Sequence, residues 1–138
     1  MKTFAPVLGL LAAGLIAAPS TAADLRFTFE PGAGTGRIMV ALFDSHAAYD
    51  HGEPARQAIV DVAAGQRDAA FDDLPDGDYA MRAFHDVDGD ARMNVNPFGI
   101  PTEPYAFSNN AVGNMGPASW DRARVTVSGA VSQTIVLK

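Results

Sequence analysis

Apolar and polar residues alternate strictly in a series of short segments along this chain, and a period of two is the mark of a half-buried β-strand. In Leu25 to Glu30 (LRFTFE), Leu25, Phe27 and Phe29 oppose Arg26, Thr28 and Glu30. Gly36 to Asp44 (GRIMVALFD) sets Ile38, Val40 and Leu42 against Arg37, Met39, Ala41 and Phe43. Both sides are fairly apolar, which places this strand centrally. Gln57 to Ala63 and Arg67 to Asp72 form short strands joined by Ala64-Gly65-Gln66. Asp78 to Asp86 puts Tyr79, Met81, Ala83 and His85 on one face and Ala80, Arg82, Phe84 and Asp86 on the other. Ala123 to Val127 and Val131 to Leu137 alternate again around Ser128-Gly129-Ala130. About seven short strands with turn signals between them and no long helical period predict an all-β fold. The expected architecture is a single-domain antiparallel β-sandwich, immunoglobulin-like or transthyretin-like, with one long ordered loop.

The connections are rich in Gly and Pro. Pro31 to Gly36 (PGAGTG) contains Gly-x-Gly-x-Gly. No Lys-Ser/Thr follows and no helix begins there, so it is no phosphate loop. Its composition predicts a hairpin turn. Ser45 to Arg56 loses the alternation and reads as a connection with one helical turn before Gly52. His46 and His51, five apart within it, read as solvated loop residues rather than metal ligands. Leu74-Pro75-Asp76-Gly77 carries the residue preferences of a type I turn.

The first residues, MKTFAPVLGLLAAGLIAAPSTAA, have the form of a secretory signal: an early charge at Lys2, an apolar run from Val7 to Ala18, then small residues. Thr21 and Ala23 fit the −3 and −1 positions, which puts cleavage after Ala23. Ser20 and Ala22 serve nearly as well. The chain then divides into a signal peptide, 1–23, and a sandwich domain, 24–138. An apolar run of about twelve residues is too short to span a bilayer, and the mature chain contains no other stretch able to do so. The expected location is the periplasm or outside the cell.

Cysteine is absent. That excludes a disulfide staple, a lipid-modified cysteine and a thiol nucleophile, so stability must come from packing, with a bound ion as an additional source. Loss of Lys2 takes the formal net charge from −6 to −7. Such acidity speaks against nucleic acid and anionic membrane surfaces and favours cation binding. A protein or small-ligand partner stays open.

From Phe84 to Trp120 the chain matches no regular element. Loops of this length inside a small domain are usually functional or disordered. Phe98, Tyr105, Phe107 and Trp120 supply apolar area that an ordered loop can bury. The expected packing lays them onto a sheet face, covering outward Phe84. The alternative is that they line a ligand groove.

The loop opens with Asp86, Asp88 and Asp90, with Gly89 among them and Asn94 and Asn96 beyond. Oxygen donors at alternate positions suit Ca2+, which takes six to eight oxygens. Three carboxylates within a few ångströms repel by about 1 kcal/mol per pair in water and about 4 at an intermediate dielectric, and a cation would cancel that. The candidate metal ligands are Asp86, Asp88, Asp90 and Asn94, with the Arg92 carbonyl beside them and Glu103 as a distant one. The spacing departs from an EF-hand: the glycine comes at the fourth position, Pro97 stands at the twelfth, and no helices flank the loop. The competing reading is a solvated Asx-type turn whose aspartates face water.

His85 beside Asp86 raises general-base chemistry, but neighbours on a strand point to opposite faces. Ser108 has no nucleophile-elbow context. His85 therefore reads as a hydrogen-bonded residue at the rim of the core.

The stretch HDVDGDARMNVNPFGIPTEPYAFSNNAVGNMGPASWDRA resembles the signature of domain of unknown function family 2141, a family of exported bacterial proteins. The matching residues are His85, Asp86, Asp88, Asp90, Phe98, Gly99, Pro101, Glu103, Phe107, Ser108, Asn109, Asn110, Ala111, Gly116, Pro117, Trp120 and Ala123. Relatives usually carry Phe where this chain has Trp120. The preceding LPDGDYA is similar to the family's turn into that strand. The resemblance implies a small exported β-sandwich and no established activity. The same turn is similar to those of transthyretin-like and carboxypeptidase regulatory-like modules and of the B-type repeats of surface adhesins, which supports the sandwich by analogy alone.

Three functional readings follow. The first is an exported, non-enzymatic binding or structural module whose acidic loop binds Ca2+. The others are a small hydrolase using His85 with a loop carboxylate, and a small-ligand carrier using the loop aromatics. The balance leans away from an enzyme.

Overall fold

The computed structural model describes residues 22–138, together with Gly14. The expected signal segment, 1–23, therefore lies outside the described residues apart from Gly14 and its last two positions. Among the described residues eight strands form two sheets. β1 (Ala23–Glu30) is the middle of a 3-stranded sheet, between β4 (Asp68–Leu74) and β8 (Ala130–Val136). The second sheet runs β3 (Arg56–Asp61), β2 (Arg37–Phe43), β5 (Gly77–Asp86), β6 (Tyr105–Phe107), and β7 (Val125–Val127) pairs with the start of β5.

The alternation seen in the sequence is what builds the core. Leu25, Phe27 and Phe29 of β1 face Ile38, Val40 and Leu42 of β2, with Tyr79, Met81 and Ala83 of β5, and all are buried. Each large side chain so buried contributes about 1.5–3 kcal/mol. β2 is central, as its apolar character on both faces requires, and β5 lies beside it.

Two expectations are corrected here. Pro31 to Gly36 is not a hairpin turn, because β1 and β2 lie in different sheets. A glycine-rich turn looks alike whether it reverses a strand within a sheet or carries it across the sandwich. The crossing wins because it brings the two apolar faces together. The links β3 to β4, β4 to β5 and β7 to β8 also cross between sheets. The antiparallel pattern has one exception: β1 and β8 run parallel over Asp24 to Glu30. Their backbones come from opposite ends of the chain, so no local turn dictates direction.

The outer face of the second sheet is partly covered by a further layer. The expected helical turn is α1 (His46–His51), capped by the Ser45 hydroxyl on the Ala48 N–H and ended by left-handed Gly52. A second short helix, α2 (Trp120–Ala123), follows the long loop. Phe43, Tyr49, Ala80, Phe107, Ala118, Trp120 and Ala123 form a second buried cluster between this layer and the sheet. Among the described residues no helix is long and apolar enough to cross a membrane.

Candidate functional site

β5 ends at Asp86, and the end is clamped by the cross-sheet turn. Gly36 sits at φ 73°, and a Cβ there would stand 2.2 Å from the Asp86 carbonyl oxygen. Only glycine permits that approach and that backbone angle together. Arg37 pairs with Asp86 and Ile38 with His85. The His85 ring nitrogen Nε2 lies 2.6 Å from the Thr35 carbonyl, so Nε2 carries the proton and donates. His85 is 0% exposed, and its Nδ1 has no hydrogen-bond partner.

Past β5 the three aspartates organise their own loop. Asp86 accepts the Gly89 N–H through Oδ1 at 2.9 Å and the Ala91 N–H through Oδ2 at 2.8 Å. Asp88 Oδ1 accepts the Asp90 N–H at 3.2 Å, and Asp90 Oδ1 accepts the Arg92 N–H at 2.8 Å. Asp86 is 1% exposed while Asp88 and Asp90 are open to solvent. The Asp90 N–H, the largest influence, holds the Asp88 carboxyl below its ordinary pKa; desolvation, the next largest, opposes it, and the Asn94 side chain adds to the lowering.

The loop then doubles back. Val95 bridges Pro101, and the Asn94 carbonyl accepts from both the Thr102 N–H and its hydroxyl. The tip is held by the Asn96 side chain, which accepts the N–H groups of Phe98 and Ile100. This hairpin returns Glu103 to the aspartates. Asn94 joins the two sides: its side-chain amide donates to Asp88 Oδ2 at 2.5 Å and its backbone N–H to Glu103 Oε2 at 3.3 Å. Glu103 is 8% exposed, and its Oε1 is buried with no hydrogen-bond partner.

One carboxylate oxygen from each of Asp86, Asp88, Asp90 and Glu103 lies within 4.8 Å of all the others. Ca2+ holds oxygens at about 2.3–2.6 Å, so opposed ligands stand about 4.6–5.2 Å apart. Opposed ligands of Mg2+ stand about 4.2 Å apart. Glu103 is thus a fourth member of the expected acid group, while Asn94 stands at its edge as a donor that ties Asp88 to Glu103. Four carboxylates, with no His or Cys, form a hard-oxygen donor set.

The loop aromatics divide. Phe107 and Trp120 pack in the second cluster, as the packing expectation requires. Phe98 departs from it: it is 88% exposed at the hairpin tip. Tyr105 and Phe107 line a cleft of about 350 Å³ with Val112 and Val136. Phe84 is covered only partly.

The run Phe107 to Asn110 is explained by hydrogen bonding. Buried Ser108 accepts the Met81 N–H at 2.9 Å and donates to the Ala123 carbonyl. Asn109 donates to the carbonyls of Arg122 and Arg124 and exchanges bonds with the Gln133 amide. Asn110 donates to the Thr134 carbonyl and accepts the Val136 N–H. Both asparagines take left-handed backbone, φ 61° and 50°, which Asn adopts more readily than most residues. They stitch β8 of one sheet to the loop of the other. Ser108 thus has its hydroxyl engaged by backbone groups on both sides.

A family model described as "Uncharacterized protein conserved in bacteria (DUF2141)" matches residues 32–135. No curated protein and no solved structure matches the chain.

Proposed function

The chain belongs to the DUF2141 family of uncharacterized bacterial proteins, and from the acid pocket it carries we propose that it is an exported β-sandwich module whose loop binds Ca2+. Asp86, Asp88, Asp90 and Glu103 supply the carboxylates. Asn94 supplies its amide oxygen by turning over once the cation has taken the charge of Asp88. The observation that carries this reading is Glu103, which contributes a carboxylate oxygen to an ion-sized group of four acids and whose Oε1 is buried with no hydrogen-bond partner. A buried carboxylate oxygen left unpaired costs at least about 1–3 kcal/mol, and a cation would satisfy it. The ion would fasten the 94–102 hairpin to the end of β5, so its role is to hold a binding surface in place. Export is supported by the N-terminal pattern of Lys2, the apolar run and the small residues before Asp24.

The non-enzymatic reading is supported by His85 and Ser108. His85 is fully buried on the Thr35 carbonyl, and Ser108 is spent on backbone groups. Neither offers an accessible base or nucleophile.

Calorimetric and thermal titration of the purified protein tests the proposal. Ca2+ at a hundred times its dissociation constant adds about 2.7 kcal/mol of stability. Absence of heat and of any rise in melting temperature at millimolar Ca2+ would overturn it.

A further inference from the structure

The covering layer on the second sheet stops at Arg82. Beyond it the outer face is open, and a groove of about 750 Å³ runs across β2, β3 and β5 to the acidic loop. Its walls include Met39, Ile59 and Phe84 from the three strands and Ala91 and Met93 from the loop. That volume is in the range of small-molecule sites, which are mostly apolar with a few placed polar groups. The groove has one charged group, Arg82. The chain carries 16 acidic residues, yet none lines it.

Arg82 is a cation without an anion. Its guanidinium lies 4.0 Å from the Tyr49 ring centre and 5.3 Å from that of Phe43, and Nη2 donates to the Tyr49 carbonyl at 2.9 Å. Its Nε is buried with no partner. The ion pairs among the described residues are Arg26–Asp68, His46–Asp50 and Arg124–Asp78, so Arg82 faces no carboxylate. The aromatic rings and the Tyr49 carbonyl fix the guanidinium in place, so an arriving anion meets a donor already oriented. Loss of its hydration is compensated when a carboxylate takes the free Nη N–H groups.

We propose that this groove binds a small amphiphilic monocarboxylate, its alkyl or aryl tail lying along Met39, Ile59, Phe84 and Met93 and its carboxylate on Arg82. The proposal does not rest on the cation site, although Ala91 and Met93 belong to the same loop. The loop aromatics Phe98 and Trp120 take no part in it.

The test is methyl NMR of the full chain in chelator, with decanoate as probe and 1-decanol as its uncharged counterpart. The Met39 and Met93 methyls shift with decanoate, while Met115, exposed elsewhere, stays unmoved. Decanol binds at least tenfold more weakly. Arg82→Gln brings decanoate down to the level of decanol. Because Arg82 also supports Phe43 and Tyr49, a second variant is needed. Ile59→Glu, at a residue 54% exposed, sets a negative charge in the groove and abolishes decanoate binding with the fold intact. Unmoved Met39 and Met93, equal affinity for acid and alcohol, or full decanoate binding by Ile59→Glu each overturns the proposal.

Discussion

Gly36 and Asp86 meet backbone to backbone: a Cβ on Gly36 would stand 2.2 Å from the Asp86 carbonyl oxygen and 2.9 Å from the Cα of Val87. The glycine of the cross-sheet turn therefore fixes where the acidic loop begins. Gly36→Ala forces a side chain into left-handed backbone, which costs about 1–2 kcal/mol, and adds a clash with main chain that cannot rotate away. The expected loss is at least about 2 kcal/mol in urea unfolding. The rise in melting temperature expected from the proposed Ca2+ site shrinks as well, because Asp86 is displaced. An alanine variant of wild-type stability would show that the turn does not hold the loop.

Glu103 has opposite consequences with and without a cation. In Ca2+-free buffer its charge is one of four that repel, so Glu103→Gln leaves stability unchanged or raises it by about 1 kcal/mol. With Ca2+ present the variant gains little, since a ligand with full charge is gone. Paired melts in chelator and in millimolar Ca2+ read both arms. A variant that loses stability in chelator and still responds fully to Ca2+ would assign Glu103 to packing.

Acid should weaken the loop through Asp88. The Asp90 N–H, with Asn94, lowers the Asp88 pKa in the folded state. A depressed folded pKa means stability that is present above the unfolded carboxylate range and lost as pH falls through the folded value. Melting temperature therefore drops on acidification, and Asp88→Asn flattens part of that limb. At the proposed site, Ca2+ affinity should fall over the same range, because protonated carboxylates are poor ligands. A wild-type acid limb in Asp88→Asn would place the titration elsewhere.

What could be read from the chain follows the range of the interaction. The strands were legible because burial of one face writes itself into every second residue, as in Leu25, Phe27 and Phe29. Asp86, Asp88 and Asp90 were legible as a group because they are neighbours. Glu103 appeared only as a distant candidate, since its arrival depends on a hairpin closed by Asn94 and Thr102. β6 escaped notice because three residues show too little alternation to register. The crossing at Gly36 was hidden because turn composition does not record which sheet the next strand joins. Asn109 and Asn110 gave no local sign of their partners on β8, 24 to 26 residues away.

Phe98 and Phe107 separate surface from core within one loop. Phe107 is buried against Tyr49, Trp120 and their neighbours, and Phe107→Ala should cost about 3–5 kcal/mol. Phe98 stands in solvent at the hairpin tip, and Phe98→Ala should change stability by no more than about 0.5 kcal/mol. Chemical denaturation of the two variants checks the contrast. A large loss at Phe98 would mean that the tip packs against the sheet after all.

Ser108 provides the final contrast, between a hydroxyl that reacts and one that supports. It is buried, accepts the Met81 N–H and donates to the Ala123 carbonyl. Ser108→Ala strands both backbone groups in the interior, at about 1–3 kcal/mol each where water cannot replace the bond. Unfolding should therefore occur at clearly lower denaturant. The response expected of the proposed Ca2+ site should persist, because the acidic loop begins at the C-terminal end of β5, beyond Met81, and shares none of these bonds. Stability close to wild type in Ser108→Ala would free the hydroxyl from its structural duty and reopen a chemical one.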